Sequence, residues 1–321
     1  MKALLLEAVG RLEMIDLPSP HSLPGEIVLR LSHCAVCRTD AKMWQQGQRD
    51  LVLPRIPGHE ICAFDPVSGE RFVVWPGESC GVCAACRAGM ENLCRSMKII
   101  GFHRDGGFAE LVAVSTASLI PVPANLPGPL SCLAEPLGCA LNALDQLRLS
   151  PGMSLLIYGG GTLGLLLAIA GRALGAEPFL VETNTQKLER SNALREHFGI
   201  GGGVECPQPG FDAAVNAAPA LNTLWEGLTK LRADGSYCLF SGFPGSDQVH
   251  ARLINEIHYR QLHVVGAYGC TRPQMTRGLA LLAQFGKAFE PLIEDRIGLD
   301  QVPLVLPTIL SGEAFKYVVA F

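Results

Sequence analysis

The stretch SLLIYGGGTLGLLLAIAGRALGAEPFLVET, residues 154–183, decides the fold. Ser154 to Tyr158 reads as an apolar strand, Gly159 to Gly161 as a turn, the leucine-rich run after it as a helix, and the segment ending at Glu182 as a second strand. Gly159, Gly161 and Gly164 make a GxGxxG, and Glu182 lies twenty-one residues beyond Gly161. Alone, that glycine pattern is weak. Between a strand and a helix, with an acid closing the next strand, it is the turn that lets a pyrophosphate approach a helix N-terminus while a carboxylate takes the ribose hydroxyls. Gly159, Gly161, Thr162, Leu163, Gly164 and Glu182 are the candidate nucleotide contacts. A carboxylate at 182 repels a 2′-phosphate, so NAD is expected over NADP. The bland alternative is a glycine-rich turn in some other α/β protein.

The alternation continues toward the C-terminus. NTQKLERSNALREHFG reads as a helix, Gly201 to Gly203 as a glycine-rich turn, FDAAVNAA as a strand and ALNTLWEGLTKLR as a helix. SYCLFSG and LHVVGAY read as strands, and RPQMTRGLALLAQFG as a further helix. These elements predict a doubly wound parallel sheet of roughly six strands, with the nucleotide-binding domain at 146–285. Residues before 125 differ: EIVLRLSHC and FAELVAVS are short strands among many Pro and Gly, which suggests a β-rich domain.

Composition narrows the partners. A net charge of -4 with no basic run argues against nucleic acid or an anionic membrane surface, leaving a small molecule as the expected partner. The opening MKALLLEAVGRLEMIDLP is interrupted by Glu7, Arg11 and Glu13, which is wrong for a signal peptide, and no apolar run reaches the length of a membrane span. A cytoplasmic location is expected. Twelve cysteines in that reducing compartment point to metal or redox chemistry rather than a disulfide framework.

Four of those thiols fall in ESCGVCAACRAGMENLC, residues 78–94. Cys80, Cys83, Cys86 and Cys94 can close a tetrahedron around zinc and support folding without chemistry; an iron–sulfur cluster is the rival reading. Upstream, CRTDAKMW from Cys37 and PGHE from Pro57 offer Cys37, His59 and Glu60, a mixed set typical of a zinc site with an open position. Asp40 is placed to orient the histidine. Cys34 and Cys37 also read as a metal-binding CxxC.

In combination these features resemble one family, the zinc-dependent medium-chain dehydrogenases. CxTD, GHE, four clustered cysteines and the GxGxxG turn match its pattern in order over nearly the whole chain. The resemblance implies an α/β protein with a GroES-like β-rich catalytic domain at 1–145, completed by 286–321, and a Rossmann domain inserted between. The tail LDQVPLVLPTILSGEAFKYVVAF is similar to the family's closing helix and strand, with Lys316 at its basic position. AEPLGCALNAL resembles the glutamate branch, that of polyol, threonine and glucose dehydrogenases. By this likeness Cys37, His59 and Glu135 hold a catalytic zinc, Glu60 binds it or sits just behind it, and Cys34 has no metal role. Cys139, four residues after Glu135, is the alternative ligand.

What the family implies further is two zincs per chain, NAD, hydride transfer from a secondary alcohol, and a homodimer or homotetramer. Thr39 matches the hydroxyl that takes the alcohol proton, and Arg38 and Lys187 match cofactor contacts. Trp44 stands where a pocket wall is expected. Two departures stand out. Lys42 occupies the place of the family's relay histidine, and only twenty residues, 61–80, run from the end of GHE through Cys80, the first clustered cysteine, so the hairpin between is expected to be shortened. A lyase or epimerase that uses bound NAD without net oxidation is the alternative function, and a noncatalytic nucleotide-binding relative the other.

Overall fold

The computed structural model describes residues 1–243, 245 and 248–321. The chain divides into two compact units, Met1–Gly138 with Cys270–Phe321, and Cys139–Gly269. The helix Arg272–Phe285, expected with the nucleotide-binding half, groups with the first unit. Glycines explain why: a Cβ on Gly138 would lie 2.9 Å from the Met275 backbone, and one on Gly278 would lie 3.1 Å from the Ala134 carbonyl. The helices Ala134–Gln146 and Arg272–Phe285 therefore meet backbone to backbone.

The first unit is built on a seven-stranded sheet. Its long strand Glu26–Ala35 pairs antiparallel with Glu60–Phe64, with Leu111–Ser115 and with the C-terminal strand Lys316–Ala320. The last pairing physically completes this unit with the tail. Leu29, Leu31, Ile61, Ala63, Phe108 and Val112 form its core, each at most 3% exposed. The expected shortened hairpin is a regular one: Phe64 pairs with Arg71, and Asp65 accepts hydrogen bonds from the Val67 and Ser68 amides across the turn. One register matters most. Ala35 lies opposite both Glu60 and Val318, so the end of one strand meets the start of a second and the middle of a third.

The second unit is a six-stranded parallel sheet. From edge to edge it runs Gly201–Gly203, Glu177–Val181, Ser154–Tyr158, Phe211–Asn216, Leu231–Leu239 and His263–Gly266. Helices cover it, so the central strand is an unbroken apolar run, with Leu155, Leu156 and Ile157 fully buried. Gly201 to Gly203 is a strand, not the expected turn. Three residues without side chains carry no period-two signal, yet the packing demands them: a Cβ on Gly201 would stand 2.9 Å from the Phe179 ring, and one on Gly202 would stand 2.8 Å from the Arg195 guanidinium. The helix expected over NTQKLERSNALREHFG is two, Thr185–Arg190 and Asn192–Phe198. Ser191 at the break donates to the Leu188 carbonyl and accepts from Arg195 Nε, a side-chain bond that competes with the helix. The helix Ala251–Tyr259 is a further element that the sequence pattern did not reveal.

Candidate active site

The convergence at Ala35 brings three potential donors together. Cys37 caps the helix Arg38–Gln46, while His59 and Glu60 open the strand Glu60–Phe64. Ligand atoms of Cys37, His59 and Glu60 lie within 4.8 Å of one another. Asp40, 2% exposed, organises them: Oδ2 accepts from the Cys37 amide at 2.8 Å and Oδ1 from the Gly58 amide at 3.2 Å. Oδ1 also stands 3.4 Å from His59 Nδ1, close but not aligned for a hydrogen bond. Gly58 has φ +93, and a Cβ there would lie 2.8 Å from the Phe108 ring, so the turn delivering His59 admits only glycine.

The electrostatics describe a site short of a cation. His59 Nδ1 and Glu60 Oε2 are buried without a hydrogen-bond partner among the described residues. Burial alone would pull the His59 imidazole down, but the charges of Asp40 and Cys37 outweigh it and hold the pKa well above its ordinary value. Lys316 meets the other oxygen of Glu60 at 2.8 Å. Burial opposes its charge, yet Glu60, then Cys37 and Glu135, raise the pKa of its ammonium. A sulfur, an imidazole and a carboxylate, two of them with unused lone-pair positions, fit a zinc ion.

The other expected residues are distributed around this centre. Glu135 is not within the Cys37 cluster; it lies one turn before Cys139 on its helix and groups with Cys270, although its charge reaches Lys316. Thr39 sits beside Cys37, its amide directed to Sγ at 3.4 Å. Arg38 turns its guanidinium to the Leu310 carbonyl at 2.9 Å. Lys42 is partly buried one turn further along the same helix, and burial and Arg38 push its pKa down. Trp44 packs among Leu6, Met43 and Phe102. Cys34 is fully buried in the strand interior, and its thiol pKa is driven well up by burial. The sequence places Lys316 only by likeness, at the family's basic position, and does not reveal its contact: nothing local marks it as the partner of a glutamate 256 residues away.

The four clustered thiols also converge. Cys80, Cys83, Cys86 and Cys94 place their sulfurs within 4.8 Å of one another, and Cys83 and Cys86 stand 3.5 Å apart. The edge of a zinc–sulfur tetrahedron is about 3.8 Å at a bond length of about 2.3 Å. Hydrogen bonding from the Cys86 amide pulls Cys83 down to about 6, whereas burial and its thiol neighbours push Cys86 up to about 11. One thiolate disfavours another at this distance, so four sulfurs brought this close suit a divalent cation. The set fits zinc.

In the second unit the strand Ser154–Tyr158 feeds the helix Thr162–Ala173 through the glycine turn. Gly159 has φ +107, and a Cβ on Gly164 would fall 1.8 Å from the Gly159 carbonyl, so both must be bare. Gly161 caps the helix with no side chain across its N-terminal amides, a cradle that fits a pyrophosphate. Glu182 holds the turn in shape, accepting from the Gly160 amide at 2.8 Å and the Asn184 amide at 2.9 Å. Buried Lys187 stands 3.7 Å from its carboxylate.

Comparison with known proteins agrees with this geometry. Residues 23–124 match the alcohol dehydrogenase GroES-like domain. A D-altritol 5-dehydrogenase of Agrobacterium fabrum is 30% identical over 318 residues, 94% of each chain. An L-threonine 3-dehydrogenase of Rhizobium rhizogenes is 26% identical over 351 residues, 99% of this chain and 98% of its own. A solved structure described as a zinc-binding dehydrogenase of Sinorhizobium meliloti 1021, bound to NADP, is 28% identical with a TM-score of 0.89, covering 100% of this chain and 99% of that one.

Proposed function

Since the chain belongs to the zinc-dependent medium-chain dehydrogenase family, we propose that it transfers hydride between NAD and a secondary alcohol of the polyol, sugar or hydroxy-amino-acid kind. It is an oxidoreductase of the zinc-type alcohol dehydrogenase class. The observation that carries the reading is the trio Cys37, His59 and Glu60, the last two buried, with two polar atoms unsatisfied among the described residues, on a chain that also presents a bare-glycine helix N-terminus.

Zinc in the first site would supply a Lewis acid that lowers the pKa of an alcohol, and a nicotinamide ring would supply the hydride acceptor. Cys37, His59 and Glu135 are assigned as the ligands, with Glu60 at or just behind the metal. Lys316 supports that arrangement by neutralising one oxygen of Glu60 at 2.8 Å and leaving the other unused. Asp40 sets the position of the imidazole, through its hold on the turn at Gly58. Thr39, next to Cys37 at the start of its helix, takes the alcohol proton, and Lys42 stands one turn on. Trp44 is assigned to the wall of the pocket, and Arg38 and Lys187 to the cofactor. Cys80, Cys83, Cys86 and Cys94 hold a second, structural zinc. Glu182 favours NAD, because its fixed carboxylate meets a 2′-phosphate with like charge.

We place the protein in the cytoplasm as a homodimer or homotetramer. Its twelve free cysteines suit a reducing compartment, and no helix among the described residues is long and apolar enough to cross a membrane. Val264 and Tyr268, on and just beyond the edge strand of the second unit, are exposed apolar groups suited to a subunit contact.

Native mass spectrometry of the purified chain, paired with nucleotide reduction on a panel of secondary alcohols, tests the reading. Two zincs per chain are expected, with one lost in Cys37→Ser, together with polyol-dependent reduction of NAD in preference to NADP. Nucleotide that stays bound with no net reduction by any alcohol would replace this reading with the lyase or epimerase alternative.

A further inference from the structure

We propose that the hollow at the end of the helix Arg38–Gln46 receives a terminal oxyanion of the substrate, so that the alcohol oxidised is a phosphorylated or carboxylated polyol rather than a neutral one. The proposal rests on the dehydrogenase reading above and names the substrate of that same site. The hollow has a volume of about 650 Å³, opens widely to solvent, and is lined by Lys42, Gln46, Gly47, Gln48 and Arg49. Two of these carry positive charge and none carries negative charge. Arg49 is paired with Asp50 at 3.2 Å. Lys42 pairs with no carboxylate among the described residues.

That lysine is placed at a cost. It is partly buried, and Arg38 lies four residues before it on the same helical face. Like charges at that spacing destabilise a helix, and burial and nearby Arg38 both oppose the charge of Lys42. Among the described residues no carboxylate pairs with either cation; Arg38 meets a carbonyl instead. An anion in the hollow would satisfy the amine with a charge-assisted hydrogen bond.

The neighbouring groups suit a hydroxylated chain that ends in that anion. Gln48 Oε1 accepts from the Asp50 amide, which leaves its NH2 group as a donor toward a ligand. Gln46 adds a second amide to the lining. The distance links hollow to chemistry: along the helix the lining begins about 4.5 Å past Thr39, at Lys42, and ends about 10 Å past it, at Gln46, a range that an extended polyol chain spans. Lys42 lies on the helix that Cys37 caps, five residues after it. The hydroxyl to be oxidised and the anion are therefore placed along one helix, the anion about one turn or more beyond Thr39.

A cofactor phosphate is the other source of an oxyanion, and the experiment separates the two. Zinc-loaded full-length protein is saturated with NADH, and the binding of glucitol, glucitol 6-phosphate and gluconate is measured by calorimetry; NADH binding is measured separately by fluorescence. Wild type is expected to bind one or both anions at least tenfold tighter than glucitol. Lys42→Met is expected to lose about ten- to a hundredfold of that preference, the usual value of a charge-assisted hydrogen bond. Lys42→Arg is expected to keep most of it, and NADH affinity is expected to stay within about twofold throughout. Equal binding of the three ligands by wild type overturns the proposal, as does a Lys42→Met variant that weakens NADH and spares the anionic polyol. Bound anionic polyol that is never oxidised would overturn the dehydrogenase reading and leave the binding result standing.

Discussion

At the scale of single residues, the site depends on positions where one atom more or less is decisive. Gly58 is one. Gly58→Ala places a side chain at φ +93 and against Phe108, at a cost of about 1–3 kcal/mol from the backbone alone. Urea unfolding reads that loss, and zinc content is expected to fall with it, because the same turn delivers His59. The ion pair between Lys316 and Glu60 is a second case: the two side chains are 8% and 0% exposed. Lys316→Met leaves a buried carboxylate unpaired and is expected to cost roughly 3–5 kcal/mol in metal-depleted protein. Adding Glu60→Gln should recover part of the loss, and a double-mutant cycle without coupling would show that the pair is not formed. Both partners were visible as letters in GHE and FKYVV, but their contact was not, since it depends on strands at opposite ends of the chain aligning at Ala35.

At the scale of elements, the cysteine lobe stands apart from the sheets. Neither the helix Ala84–Arg87 nor the turn Glu91–Leu93 has a buried residue, so little apolar burial holds residues 79–97 together. Chelation, or Cys86→Ser, is expected to expose this lobe to protease while the circular dichroism of the parallel sheet persists. Cleavage confined elsewhere would mean that the lobe is stable without metal. A second element-level device is Arg104, which bridges Glu26 at 2.6 Å and Glu78 at 2.7 Å, tying the sheet to the lobe's base. The hydrogen bond from Arg104 holds the Glu26 carboxyl below its ordinary value of 4.5. Its stabilisation is therefore present above pH 4.5 and disappears as pH falls through the lower folded value. Arg104→Met should be less stable than wild type at neutral pH, with the gap closing in acid. A gap that is constant with pH would exclude this ionic contribution.

At the scale of the whole molecule, the proposed metal and nucleotide functions fall in separate compact units. Cys37→Ser is expected to remove one zinc and abolish alcohol oxidation while leaving the NADH dissociation constant within about twofold, as fluorescence titration would show. A large loss of NADH affinity would mean that the metal centre shapes the nucleotide turn. The same division bears on unfolding: two units, each with its own core, need not melt as one.

The sequence by itself determined the nucleotide turn, the parallel sheet around it, the four-thiol lobe and the Cys37–His59–Glu60 set. These rest on local spacing and on residue types whose chemistry is distinctive, and such signals survive without coordinates. Gly201 to Gly203 was legible only as glycine, because a strand without side chains has no periodicity; its pairing with Glu177–Val181 exists only in the assembled sheet. The tertiary structure alone decided that Glu135 groups with Cys270, that Arg38 is drawn to the end of the helix Val302–Ser311, and that no acid among the described residues pairs with Lys42 beside an open hollow. Each of these depends on which distant backbone segment arrives next to a side chain, and strand register, rather than any local pattern, sets that arrival.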